Sequence, residues 1–210
     1  LPLLLAACAG APRVVSSAPS DREPDEYEAD DVLLRNHDVP HVVVAEAFVT
    51  ASTPDDNIDS PASWLQDGRL LVVASAKATD QLVVYDGDTG ALRRTVGGPG
   101  DAPGQFNRPN GIAVYADLVF VVERDNQRVQ VLRLPDFQPV AQFGRGELLN
   151  PYGLWLRETA PGELELLVTD SFMADFRTEL VPPLDQLDGR VTRYRVQMVG
   201  HAPKATLLGQ

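Results

Sequence analysis

Residues 108–122, with the sequence RPNGIAVYADLVFVV, carry the pattern that decides the fold. A Pro–Asn–Gly turn signal leads into one apolar strand, and a short polar break separates that strand from a second apolar run. Two further strand-like runs follow, one at residues 129–132 and one that closes at Gly144. Because tight hairpins need the backbone angles that Gly, Asp, Asn and Pro supply, this stretch predicts four short antiparallel strands.

The same arrangement occurs three times along the chain. The three copies open with a proline and close with a glycine, in order at Pro61 and Gly97, Pro109 and Gly144, and Pro151 and Gly209. Four strands in a period of ~40–50 residues is typical of the blades of a β-propeller. No segment has sustained helical periodicity, and a β-sandwich would not repeat one Pro-led, Gly-ended phrase three times. The sequence therefore predicts an all-β chain.

We expect the folded part, residues 39–210, to be a β-propeller of four-stranded antiparallel blades that is incomplete in this chain. About three blades are expected, together with part of a fourth at residues 39–50. Since a propeller ring usually holds ~4–8 blades, further blades are expected after Gln210. The third copy has an insertion, residues 172–189, which either caps one mouth of the channel or is a surface excursion without a role.

The chain opens with an apolar run that ends at Cys8. Residues 5–8, LAAC, look like a bacterial lipobox, in which the cysteine is lipidated and becomes the mature N-terminus; the alternative is an accidental cysteine in a leader cleaved elsewhere. We expect residues 1–8 to be a signal-peptide remnant and residues 9–38 to be a disordered linker. These features predict a lipoprotein of the bacterial cell envelope, anchored through Cys8 on the periplasmic or extracellular face.

The charge and the composition of the chain limit which kinds of ligand and partner it can bind. The formal net charge of −12 repels nucleic acid, so no nucleic-acid partner is expected. An acidic surface suits a protein that collects Ca²⁺, although acidity also keeps an exported protein soluble. The single cysteine excludes an internal disulfide and a thiolate metal cluster. The three histidines show no zinc-ligand spacing.

Several phrases resemble those of β-propeller phytases, in the same order. In this chain, residues 59–65 (DSPASWL) resemble the family phrase Asp-Asp-Pro-Ala-Ile-Trp, and Lys77 with residues 81–85 (QLVVY) resembles Lys followed by Gly-Leu-Val-Val-Tyr. Residues 108–112 (RPNGI) resemble Asn-Asn-Val-Asp, residues 123–126 (ERDN) resemble Ser-Asn-Arg, and residues 150–153 (NPYG) resemble Val-Tyr-Gly-Phe. The resemblance covers about residues 45–199. Ser60 stands where the first phrase has its second Asp, and a further phosphate-binding Lys expected near residues 170–171 is absent.

The resemblance implies a calcium-dependent hydrolase of phosphate monoesters, of 3-phytase type, acting on inositol hexakisphosphate or a related small phosphate ester. It implies that Asp59 is a calcium ligand and that Lys77, Arg124 and Tyr152 bind phosphate. It does not identify a catalytic residue in this chain. An acidic protein can bind such a polyanion through bridging cations, so calcium is the expected cofactor. The complete protein is expected to be a monomer.

Each of these residues also has an ordinary structural interpretation. Asp59 could cap an Asx turn before Pro61, and Lys77 could be a solvated residue at a strand end. Arg124 could form an ion pair with a neighbouring acid, Glu123 or Asp125, within a hairpin. Tyr152 could be a core aromatic at the start of a blade.

The second copy also resembles NHL repeats. Residues 97–100 (GGPG), 104–109 (GQFNRP) and 126–131 (NQRVQV) are phrases typical of that family. The resemblance implies a non-catalytic propeller that binds a protein or another ligand in the cell envelope. This is the alternative to the enzyme.

Overall fold

The computed structural model describes residues 42, 44–171, 182–200 and 202–210. Contacts divide the chain into Leu1–Pro40 and His41–Gln210, and all described residues lie in the second unit. The predicted signal-peptide remnant, Cys8 and the linker at 9–38 lie outside the described residues. Within the described part, no helix is long and apolar enough to cross a membrane.

The described residues form twelve strands in three four-stranded antiparallel sheets, with two 3₁₀ turns at Pro54–Asp56 and Leu184–Gln186. The strands are β1 Ile58–Gln66, β2 Arg69–Ala76, β3 Gln81–Asp86 and β4 Leu92–Gly97; β5 Pro109–Tyr115, β6 Leu118–Glu123, β7 Arg128–Arg133 and β8 Gln138–Phe143; β9 Pro151–Ala160, β10 Glu163–Asp170, β11 Val191–Val199 and β12 Ala202–Gly209. Each strand pairs with the next strand along the chain, so each sheet is a simple meander. This confirms the predicted all-β fold of four-stranded antiparallel blades.

The three sheets pack face to face in chain order. Their first strands lie side by side, β1 against β5 and β5 against β9, as the inner strands of propeller blades do. We therefore call the sheets blades one, two and three. Residues 42 and 44–50, where part of a fourth blade was expected, form no strand.

Blade two is buried on both faces, which explains the unbroken apolar run of β6. Val119 and Val121 belong to the core shared with blade one, where they meet residues such as Trp64, Val73 and Leu82. Leu118, Phe120 and Val122, which alternate with them, belong to the core shared with blade three, where they meet residues such as Leu164, Leu166 and Tyr194. Successive side chains of a strand point to opposite faces, so a strand buried on both sides carries apolar residues at successive positions, as residues 118–122 do.

The inner strand of each blade contains a bulge at the same place. The first residue of each inner strand pairs with the last residue of the second strand of its blade; these first residues are Ile58, Pro109 and Pro151. The pairing register then shifts, and regular pairing resumes at Pro61, Ile112 and Leu154. The structural equivalent of Pro109 and Pro151 is therefore Ile58. The predicted start of the first copy at Pro61 was wrong, because Pro61 lies beyond the bulge and only its residue type matches.

One backbone hydrogen bond recurs in all three blades and supports this alignment. The N–H of Lys77 donates to the carbonyl of Asn57 (3.2 Å), that of Arg124 to Arg108 (3.1 Å), and that of Ser171 to Asn150 (2.8 Å). Each bond ties the first residue after the second strand to the residue just before the inner strand. The same end of every blade is therefore closed in the same way.

The backbones of blades two and three approach closely at Gly111. A Cβ atom at this position would lie 2.8 Å from the backbone nitrogen of Leu154 and 2.9 Å from the carbonyl oxygen of Tyr152. Both contacts are to backbone atoms, which cannot rotate away. Gly111 is therefore required for β5 and β9 to lie side by side.

We expect Gly111→Ala to lower the free energy of unfolding by about 1–3 kcal/mol, because the added methyl group forces the two inner strands apart. Urea denaturation measures the change. Gly209→Ala is the control, since a Cβ atom there meets nothing within 4 Å and Gly209 has no left-handed φ angle. Equal stability of the two variants would show that β5 and β9 do not pack as described.

A carboxylate organises the β3–β4 turn of blade one. Asp86 accepts hydrogen bonds from the backbone N–H of Asp88 and Thr89, from the Thr89 hydroxyl and from the Arg93 guanidinium. The Arg93 hydrogen bond, followed by that of the Thr89 hydroxyl, lowers the pKa of Asp86 to about 2 from the ordinary value of 3.8. The ionised carboxylate therefore stabilises the fold above the ordinary pKa.

This stabilisation should disappear as the pH falls from about 4 through 2, because the unfolded chain takes up its proton before the folded chain does. We expect Asp86→Asn to lower the melting temperature at pH 5 and to show a smaller further fall between pH 5 and pH 2 than the unmodified protein. Asp88→Asn, which changes the exposed neighbour, is the control and should follow the unmodified curve. Parallel curves for all three proteins would contradict the role of Asp86.

Candidate functional site at the mouth of the blades

The candidate site lies at the end of the blades where the inner strands begin, which we call the mouth. In blades one and two the mouth also contains a four-residue turn after the second strand, at residues 77–80 and 124–127. In blade three the chain between Asp170 and Val191 replaces this turn. The predicted insertion, 172–189, falls in this stretch of the chain; residues 172–181 of it lie outside the described part.

The predicted site residues occupy only two structural positions. The first residue after the second strand is Lys77 in blade one, Arg124 in blade two and Ser171 in blade three. The residue after the start of the bulge is Asp59 in blade one, Asn110 in blade two and Tyr152 in blade three. All four predicted residues therefore lie at the same end of consecutive blades.

Asp59 and Lys77 are in direct contact. The Lys77 ammonium lies 3.6 Å from a carboxylate oxygen of Asp59, and the Lys77 side chain is only 3% exposed, whereas that of Asp59 is 26% exposed. The Ser60 hydroxyl donates to the other carboxylate oxygen of Asp59 at 3.2 Å. Lys77 is therefore a buried, paired residue, and its alternative interpretation as a solvated strand-end lysine was wrong.

Arg124 and Tyr152 lie in blades two and three. Arg124 is paired with Asp125 (2.7 Å), not Glu123, and its side chain is 12% exposed. Tyr152 is half-buried, and its carbonyl oxygen faces Gly111 of β5. Of the four predicted residues, the structure thus places Asp59 and Lys77 in contact and positions Arg124 and Tyr152 at the equivalent places of the next blades.

Asn110 is a residue of the mouth that the sequence pattern did not single out. Its side chain is fully buried, and neither its carbonyl oxygen nor its amide nitrogen forms a hydrogen bond within the described part of the chain. Buried polar groups are nearly always bonded, so an unbonded carboxamide is a reason to look for a bound molecule. The sequence shows Asn110 only as part of a turn signal; its equivalence to Asp59 and Tyr152 depends on the bulge.

Two more carboxylates, those of Asp80 and Asp125, lie in the turns of blades one and two at the mouth. Asp80 ends the first turn and accepts a hydrogen bond from the backbone N–H of Arg108 at 2.6 Å. Burial raises the pKa of Asp80, and the charge of Asp125 raises it further, against the opposing effect of Arg108. The turns of blades one and two are therefore close enough for their charges to interact.

A buried ion pair lies beneath the turn of blade two. Arg128 donates to Glu123 at 2.6 Å, and both side chains are fully buried. Asn126 (2.5 Å) and Gln130 (3.1 Å) also donate to the Glu123 carboxylate. Burial raises the pKa of Glu123, while the hydrogen bonds from Arg128 and Asn126 oppose that shift.

The same network holds the connection between blades one and two. Arg128 donates to the carbonyls of Asp101 (2.6 Å) and Gln105 (2.8 Å), and Asn126 donates to that of Gly100 (2.9 Å). All of these residues except Asp101 belong to the NHL-like phrases. In this chain those phrases therefore have a structural role, the fixing of one blade to the next.

The described residues do not by themselves fit a calcium ion. Ca²⁺ takes ~6–8 oxygen ligands, several of them carboxylate oxygens. Among the residues that the structure describes, no three His, Cys, Asp or Glu side chains are grouped as metal ligands. Asp59, the expected ligand, has a lysine ammonium beside it, and its neighbour Ser60 brings no charge.

The geometry defines a class: an all-β chain of propeller-like blades with cations and polar groups at one mouth. No protein-family model and no curated protein matches the chain. Two similar solved structures are hydrazine synthase of Kuenenia stuttgartiensis (12% identity, TM-score 0.41) and a Bacteroides fragilis protein described as exported (14% identity, TM-score 0.41). The similarity covers 76% of this chain in both cases, and 47% and 53% of those chains. The chain thus spans about half the length of the structures it matches.

Replacing Asn110 with leucine should raise the free energy of unfolding by about 1–3 kcal/mol, because the desolvation cost of an unbonded carboxamide is removed without loss of volume. Asn126→Leu is the matched control and should be destabilising, since Asn126 is bonded to Gly100 and Glu123. Urea denaturation of the ligand-free protein compares the two. A loss of stability in Asn110→Leu as large as in Asn126→Leu would show that Asn110 is bonded in solution.

Proposed function

We propose that the mouth binds a phosphate ester. The observation that carries this proposal is that Lys77 and Arg124, two cations, occupy the same structural position in adjacent blades. Both side chains are largely buried, at 3% and 12% exposure, so their positions are restrained before a ligand arrives. Hydrogen bonds from cations to phosphate oxygens are charge-assisted and are among the strong ones in proteins.

The ion pairs at the mouth are compatible with phosphate binding. An ammonium has three donors, so Lys77 can keep Asp59 and still donate to a phosphate oxygen. A guanidinium has five N–H donors, so Arg124 can likewise keep Asp125. The acids Asp59 and Asp125 then orient the two cations and limit how many anionic groups the mouth accepts.

For the whole protein we propose phosphomonoester hydrolysis of the phytase type, with calcium required and inositol hexakisphosphate or a related ester as substrate. The order of the phytase-like phrases supports this, as does the position of Asp59, Lys77, Arg124 and Tyr152 at one mouth. Within this chain, Lys77 and Arg124 bind and orient the phosphate, and Tyr152 borders it. A calcium site requires ligands in addition to Asp59.

A second candidate is a non-catalytic, NHL-like propeller that binds a ligand in the cell envelope. The specific observation in its favour is that the described residues at the mouth supply cations and a carboxamide without a grouped set of acidic ligands. The site then retains a phosphate ester without cleaving it.

The location of the protein is part of the proposal. The LAAC phrase at residues 5–8 supports export and lipid attachment through Cys8, with the propeller on the outer side of the inner membrane or at the cell surface. The net charge of −12 for the whole chain disfavours contact with anionic headgroups.

We expect Lys77→Met and Arg124→Gln in the full-length protein each to weaken phytate binding about tenfold or more, as loss of a charge-assisted hydrogen bond of ~1.5–3 kcal/mol implies. Calorimetric titration measures binding, and phosphate release is assayed with calcium and with a chelator. Arg195→Gln, which removes one charge from blade three, is the control and should change neither quantity.

The outcomes separate the two candidates. Calcium-dependent phosphate release that falls in both mouth variants supports the hydrolase. Binding that falls in both variants, without release under either condition, supports the binding protein. Phytate binding that is absent, or equal in all variants, would exclude the mouth as a phosphate-ester site. Thermal melting of each variant excludes unfolding as the cause.

A further inference from the structure

A second cleft lies away from the mouth, between blade one and the β7–β8 turn of blade two. Its volume is about 470 Å³, which is within the range of small-molecule sites. Arg69 begins β2 and Asp86 ends β3, so the cleft is at the end of blade one opposite Lys77. We call it the arginine cleft; its lining residues include Arg69, Arg93, Arg94, Leu71, Val84 and Phe137.

The inner wall of the arginine cleft is apolar. Leu71, Val84 and Phe137 are all buried members of the core between blades one and two. Phe137 has a left-handed backbone, with φ of 61°, which is uncommon and costly for a bulky residue. The turn therefore holds the Phe137 ring in the cleft at some conformational cost.

Arg94 is held in place by contacts that include no carboxylate of the described residues. Its guanidinium carbon lies 4.7 Å from the centroid of the Phe137 ring, and it donates to the carbonyl of Pro135 at 2.6 Å. A cation–π contact and a neutral carbonyl orient the guanidinium but leave its charge uncompensated. Stacked arginines of this kind keep further N–H donors in their plane for a planar anion.

The other charges of the cleft leave an excess of positive charge. Arg93 is neutralised by Asp86. Arg69 is exposed, and its guanidinium forms no hydrogen bond or ion pair with the described residues. Asp136 is the remaining acid of the lining, so one acid faces the two uncompensated arginines, Arg69 and Arg94. This balance suits a ligand with a single negative charge and disfavours a polyanion.

We propose that the arginine cleft binds an organic monoanion, a carboxylate attached to an apolar body. The carboxylate accepts hydrogen bonds from Arg94 and Arg69, in the planar geometry that guanidinium groups favour. The apolar body packs on Leu71, Val84 and Phe137. This site is separate from the phosphate-ester site at the mouth and does not depend on it.

The test uses 2-naphthoate as the probe, followed by its own fluorescence and by calorimetry with the full-length protein. Saturable binding with a dissociation constant below ~1 mM is expected. Arg69→Gln and Arg94→Gln should each weaken binding about tenfold, while Arg195→Gln, the matched change in blade three, should not. 2-Naphthalenemethanol, the uncharged analogue, should bind at least tenfold more weakly.

Several results would overturn the proposal. They are equal affinity for the acid and the alcohol, unchanged affinity in Arg69→Gln, no saturable binding, and displacement of naphthoate by phytate, which would place the probe at the mouth. The Arg69 guanidinium makes no hydrogen bond or ion pair with the described residues, so Arg69→Gln remains informative if Arg94→Gln does not fold. Loss of phytate binding in the mouth variants with naphthoate binding unchanged would show the two sites to be independent.

Discussion

The buried ion pair between Glu123 and Arg128 is the constraint on which the arrangement of the blades depends. Both charges are removed from water, which costs several kcal/mol per ion and is recovered only when the pair is close and its remaining hydrogen-bonding groups are satisfied. Here Glu123 also accepts from Asn126 and Gln130, while Arg128 also donates to the carbonyls of the connection from blade one. A connection without regular strands is thereby fixed to the interior of blade two. The turn of blade one is tied to the start of blade two by the hydrogen bond from the Arg108 N–H to Asp80.

Functional groups at the mouth follow from one repeated backbone feature. The bulge of each inner strand and the hydrogen bond that closes it place one side chain per blade at each of two positions. In the three blades these positions hold different chemistry: a lysine, an arginine and a serine at one, and an acid, an amide and a phenol at the other. A rigid repeating scaffold with variable residues at fixed places is how propellers carry function. Lys77 at the mouth and the arginines of the arginine cleft occupy opposite ends of blade one, where they can serve different ligands.

Much of the fold could be predicted from the sequence. The twelve strands follow from alternation, from apolar runs and from turn residues, because these patterns report local geometry and burial. The predicted alignment of the three copies was wrong where it matched residues by their type and not by their position in the strand. Pro61 resembled Pro109 and Pro151, yet the bulge makes Ile58 their equivalent. Residues 44–50 contain residues that favour strands, but they form no strand, because among the described residues no neighbouring strand pairs with them. For the candidate site, Lys77 and Arg124 could be found from neighbouring phrases, whereas Asn110 could not.

By itself the sequence determined the all-β class, the four-stranded repeat and the acidic character of the chain, since period, turn chemistry and charge are properties of residue order and composition. Tertiary structure alone decided that Lys77 pairs with Asp59 and that Arg128 also binds the carbonyls of the connection from blade one. It alone buried Asn110 without a hydrogen bond from the part of the chain that the structure describes, and placed Arg69 and Arg94 in the lining of one cleft. The reason is physical: pairing and burial depend on which strands and turns meet in space, and residues distant in the chain meet only after the blades have packed.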